Sequence, residues 1–79
     1  MRLPRDISGA ELIQILGQFG YHSVRQTGSH VRLVRVYDEQ EHHIIIPLHK
    51  NLRLGTLNAI LQDVSARLGV EKEDIFKKR

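Results

Sequence analysis

Polar and apolar positions along this chain follow two rhythms, one helical and one alternating. In SGAELIQILGQFGY, residues 8–21, apolar side chains return at Leu12, Ile13, Leu16 and Phe19, which lays them along one stripe of a helix. Ser8 ahead of the stripe and Glu11 three residues later have the spacing of a capping box, in which each side chain accepts from the other residue's backbone N–H. Gly20 suits the left-handed position just past a helix end. From Tyr21 the rhythm shortens to two. YHSVRQT predicts a short strand with Val24 inward, and Gly28-Ser29 supplies a turn. HVRLVRVY predicts a second strand, with Val31 and Leu33 on one face and His30 and Arg32 on the other. The adjoining Leu33 and Val34 interrupt the alternation and admit a bulge there. After a turn at DEQE, HHIIIP predicts a third strand with Ile44 and Ile46 on one side. Pro47, which has no N–H for a ladder, ends it.

The helical rhythm then resumes. LHKNLRLG reads as a loop, and TLNAILQDVSARLG as a second helix with Thr56 as N-cap. Its stripe is Leu57, Ile60, Leu61, Val64 and Leu68, and Gly69 closes it. VEKEDIFKKR predicts one more helical turn that docks Ile75 and Phe76. The order is therefore α-β-β-β-α, an α+β domain with a three-stranded antiparallel sheet. Both helix stripes need the same sheet face, so the other face is left open, with His30, Arg32, His43 and Ile45 on it. That order is the one found in double-stranded-RNA-binding domains.

Length and charge narrow the picture. Seventy-nine residues form one domain, 1–79, with a modest core and no room for a deep cofactor pocket. The absence of cysteine excludes disulfides, thiolate metal sites and thiol nucleophiles. The leading MRLPRDISG lacks the apolar core of a signal peptide, and Ile44 to Ile46 is too short an apolar run to span a bilayer, so a cytoplasmic protein with no membrane partner is expected. Twelve Lys and Arg against nine Asp and Glu give +3 and a pI near 9.7, which is compatible with a polyanionic partner. Acids gather at 38–41 and 71–74, while Arg25, Arg32, Arg35, Lys50 and Arg53 occupy the middle.

Five histidines raise the question of a metal. His42 and His43 are adjacent, so a strand turns them to opposite faces, and no histidine lies on either helix; no metal is expected. Ser29 beside His30 lacks the strand-turn-helix elbow of a serine hydrolase. His30 is the sharper case. RNA carries its own nucleophile, the 2′-hydroxyl. Cleaving it needs a base for that proton, an acid for the leaving 5′ oxygen, and cations on the phosphate. His30 with Arg25, Arg32 or Lys50 has those capacities. A hydrogen-bonded surface histidine remains the ordinary alternative.

RQTGSHVRLV followed by IPLHKNLRLGTLNAIL resembles the HicA toxins, mRNA interferases of HicA–HicB toxin–antitoxin systems. The match runs in register through the leading helix, Gly28-Ser29-His30, Ile46-Pro47 with His49 just beyond, and Gly55-Thr56-Leu57. The resemblance implies a fold like a double-stranded-RNA-binding domain and ribosome-independent cleavage of mRNA; from the residues themselves no cofactor is expected. It puts the catalytic histidine at His30 and makes a HicB-type antitoxin the partner that covers the active face. His49 falls on a recurring motif position, either anchoring the loop or serving catalysis, and Gly28 serves the turn. Arg25, Ser29, Arg32, His49, Lys50 and Arg53 are the expected RNA contacts. The rival reading is a non-catalytic RNA-binding module of the same fold.

Overall fold

A computed structural model describes residues 6–78; residues 1–5 of the leading MRLPRDISG segment, and Arg79, lie outside the described residues. Helix α1 spans Gly9–Gly17, and strands β1, β2 and β3 span His22–Thr27, His30–Tyr37 and Gln40–Pro47. Helix α2 covers Leu54–Leu68, and a short α3, Lys72–Ile75, runs into a 3-10 turn at Phe76–Lys78. The strands form an antiparallel meander, β1-β2-β3. Leu12, Ile15 and Leu16 of α1 and Leu57, Leu61 and Val64 of α2 share one core with Val31, Leu33, Ile44 and Ile46 of the sheet, so both helices lie on one sheet face. Burying these apolar side chains contributes about 1.5–3 kcal/mol each, the main force holding so small a domain together.

The capping box at α1 is present: Ser8 Oγ accepts from Glu11 N and Glu11 Oε1 accepts from Ser8 N, both at 3.0 Å. Gly20 takes φ +97 at the end of the turn that leads to Tyr21. Ile15 is buried in α1 beside Leu12 and Leu16, while Ile13 and Phe19 pack against the core from its edge. Thr56 does not cap α2. The helix begins one turn earlier, with Arg53 in the N-cap position in extended conformation and the Leu57 N–H donating to its carbonyl. Leu52, buried and bonded through its N–H to Ile7 O, fixes where that turn starts. Ile75 docks fully in the core and Phe76 partly.

The irregularity of the sheet sits in β1 rather than at Leu33–Val34. His22 faces Val34 and Ser23 faces Leu33, but Arg25 faces Arg32, so Val24 is an extra residue in β1. It is 51% exposed, not inward. Leu33 and Val34 are both buried, on opposite faces of an uninterrupted β2, with Val34 opposite His22 and His43. The β2–β3 turn is Asp38-Glu39, both at positive φ, 54 and 62, a pair of values that matches the right-handed twist of the strands it joins.

Candidate RNA-cleaving site

The extra residue at Val24 builds the site. Had the register of His22 and Ser23 continued, Arg25 would oppose Val31 and face the core. The bulge re-aims it to the open face, directly opposite Arg32. Beyond it the two-residue turn Gly28-Ser29, with Gly28 at φ +58, pairs Thr27 with His30. Opposed side chains share a face about 5 Å apart at Cβ, so Thr27–His30 and Arg25–Arg32 share the open face, with the Gln26–Val31 rung between them. On the far side of β2, Ile45 faces Arg32 and Pro47 faces His30.

These groups converge. Arg25, Thr27, His30, Arg32 and Ile45 line a cleft of about 230 Å³ on the open face. The His30 ring is exposed and has no hydrogen bond to any described residue, which leaves both nitrogens for a ligand. Two like charges on one rung destabilise a sheet unless an anion lies between them. The cleft thus offers what a phosphodiester needs: two guanidiniums to hold it, a hydroxyl donor at Thr27 and an imidazole able to move a proton.

The turn that carries His30 is tied from behind. Ser29 O accepts from Leu48 N at 2.6 Å, and one residue on, His49 O accepts from Gly9 N at 2.9 Å. His49 therefore anchors its loop through its backbone. A side chain at Gly9 would collide with the backbone of Pro47 and Leu48, so the start of α1 lies directly on that loop. The remaining expected contacts spread outward. Ser29, His49, Lys50 and Arg53 are exposed around the turn, the loop and the start of α2, and among the described residues they do not line the His30 cleft.

Thr27 was not among the expected site residues, although a two-residue turn after it is enough to set it opposite His30. A second cluster was also invisible along the chain. His42 is buried on the core face, with Nδ1 2.6 Å from the Tyr21 hydroxyl and Nε2 3.1 Å from Asp63 Oδ1. The Asp63 contact is off the line of a hydrogen bond, so it is electrostatic, and among the described residues Nε2 has no hydrogen-bond partner. Burial pushes the Tyr21 hydroxyl above its ordinary pKa, with Arg35 and Arg67 opposing and Asp63 adding to the rise. Arg35 donates from Nε to Phe19 O at 2.9 Å and lies over the Tyr37 ring. Among the described residues no three His, Asp or Glu side chains form a metal-ligand group, and no helix is long and apolar enough to cross a membrane.

No curated protein and no solved structure matches the chain. Residues 9–65 match the family described as HicA toxin of bacterial toxin–antitoxin. That span takes in α1, the whole sheet with its His30 cleft, and most of α2, and the chain belongs to the HicA toxin family of bacterial toxin–antitoxin systems.

Proposed function

We propose that this protein is a metal-independent endoribonuclease acting on mRNA in the cytoplasm, with His30 as its proton-transfer group. The observation that carries the reading is the meeting of His30 with Arg25, Arg32 and Thr27 in one exposed cleft. In the proposed reaction the two arginines hold the scissile phosphate. The 2′-hydroxyl of the preceding ribose loses its proton and attacks phosphorus. The bond to the 5′ oxygen breaks and that oxygen takes up a proton, leaving a 2′,3′-cyclic phosphate and a 5′-hydroxyl. His30, exposed and with no hydrogen bond to a described residue, serves one of these proton transfers. Ser29, His49, Lys50 and Arg53 contact phosphates further along the strand. A HicB-type antitoxin silences the enzyme by covering the open face, and its carboxylates meet Arg25 and Arg32 while Ile45, 44% exposed, gives an apolar anchor. RNA and antitoxin then compete.

The deciding experiment is cleavage of a defined RNA by His30→Ala. Loss of acid–base assistance lowers the rate by about 10²–10⁴ with the fold intact. A folded variant that cuts at the native rate sinks the assignment. A native protein that binds RNA without cutting it, and does not arrest growth when expressed, is the binding module instead. Cleavage persists in excess chelator and stops when the scissile nucleotide is 2′-deoxy.

A further inference from the structure

A second groove adjoins the His30 cleft. It is about 320 Å³ and wraps the free edge of β3, from Arg32, His43 and Ile45 on the open face to Ala59, Ile60 and Asp63 on α2. Arg32 and Ile45 line both cavities, so they form a common wall. An RNA strand with one phosphate between Arg25 and Arg32 has a flanking nucleotide at this groove.

Its chemistry differs from that of the first cleft. The His43 ring is partly exposed and is held by Glu41, 2.9 Å from its Nε2. With Ile45, Ala59 and Ile60 it offers an aromatic and aliphatic surface of the kind on which a nucleobase stacks. Asp63 is the anomaly. A carboxylate repels phosphate, so it does not serve the backbone of an RNA strand, yet it stands at the end of this groove. It is an acceptor without a donor of its own, suited to the N–H groups of a base.

Asp63 is also held. Tyr21 and His42 are both core residues, and His42 Nε2 lies 3.1 Å from Asp63 Oδ1, an electrostatic contact that holds the carboxylate near the ring. The Tyr21 hydroxyl lies 2.6 Å from Nδ1, which fixes the ring that faces the carboxylate. Asp63 itself is 59% exposed, so its other lone pairs face solvent and the groove. Among the bases, only guanine presents two N–H donors side by side, N1–H and N2–H, to match two carboxylate oxygens. Adenine and cytosine set an acceptor nitrogen beside their amino group, and uracil flanks its single N–H with carbonyls.

We propose that the β3-edge groove is a guanine-reading subsite next to the scissile phosphate, with Asp63 as the base acceptor and the Tyr21–His42 pair as its positioning support. The proposal rests on the nuclease reading for its place in the reaction, but binding alone tests it. Two measurements separate the two ideas. In the first, a randomised RNA pool is cleaved and the ends are sequenced: the native protein enriches guanine at one flanking position. Asp63→Asn loses that enrichment by about tenfold while still cutting, because its amide sets an N–H donor against the base's own donors. Tyr21→Phe reduces the enrichment in the same direction, whereas a merely structural loss slows all sequences alike. In the second, the His30→Ala protein is titrated with oligoadenylate RNAs carrying a single guanine or none, read by fluorescence anisotropy. The guanine-containing strand binds more tightly, and His30→Ala/Asp63→Asn removes the difference. Cleavage without base preference, or a preference unchanged in Asp63→Asn, overturns the subsite and leaves the nuclease standing. Absence of cleavage with a guanine preference in binding does the reverse.

Discussion

Arg25 and Arg32 stand opposite each other on one rung of the sheet, two rungs from His30 and on the same face. The pairing is unfavourable for the free protein and favourable once a phosphate bridges it, so function and stability pull apart at these positions. Arg32→Gln is therefore expected to weaken RNA binding, lowering its salt slope by about one, while the thermal midpoint stays level or rises. A salt slope that does not change means Arg32 touches no phosphate.

Strand parity sets His42 on the face opposite His43, the side toward the helices. In the fold it is buried against Tyr21. His42→Ala strands the Tyr21 hydroxyl at roughly 1–3 kcal/mol, and the emptied volume adds to that cost. Denaturant unfolding is expected to show a clear loss of stability, against almost none for His22→Ala, which is exposed. Equal midpoints for the two variants would contradict the buried pairing.

Alkali acts at the same place. Burial raises the Tyr21 pKa above 10.0, so the folded protein holds the phenolic proton more tightly than the unfolded chain does. The stabilisation this gives is complete below pH 10 and is lost as pH rises toward the folded value. Stability of the native protein is expected to fall above pH 10 more steeply than that of Tyr21→Phe. Parallel curves would show that Tyr21 ionises as it does in the unfolded chain.

Gly9 is the most tightly packed of the glycines among the described residues. An added methyl meets the Pro47 carbonyl, which is backbone and cannot swing aside. Gly9→Ala is expected to cost about 1–3 kcal/mol and to slow RNA cleavage as well, because the same loop supports the His30 turn. Calorimetry and a cleavage assay on the folded fraction check both. Unaltered stability would mean that α1 can lift off the loop freely.

Much of this was legible in the chain because β2 and β3 alternate cleanly. Val31, Leu33, Ile44 and Ile46 had to face the helices, which turned His30, Arg32, His43 and Ile45 outward. β1 was harder to read. Its register is fixed from both ends, by the tight turn at Gly28-Ser29 and by buried Tyr21, and those anchors disagree by one residue. The surplus emerges as Val24, and no local property of YHSVRQT marks it. The start of α2 was misread for a related reason: Thr56 looks like a cap, but the docking of Leu52 decides the first turn. The Tyr21–His42–Asp63 chain joins residues twenty-one apart on each side, contacts that only the assembled sheet and α2 create.

The tie between Ser29 and Leu48 has a consequence for the timing of synthesis. Leu48 is made nineteen residues after Ser29, and the carbonyl of His49 that fastens the loop to Gly9 follows it. A nascent chain that has exposed only the β1–β2 hairpin carries His30 and both arginines but not the brace behind them. α2, which completes the core beneath the sheet, comes later still. On the proposed reading, the cleft that cuts RNA is therefore braced only after β3 and the loop beyond it have been made.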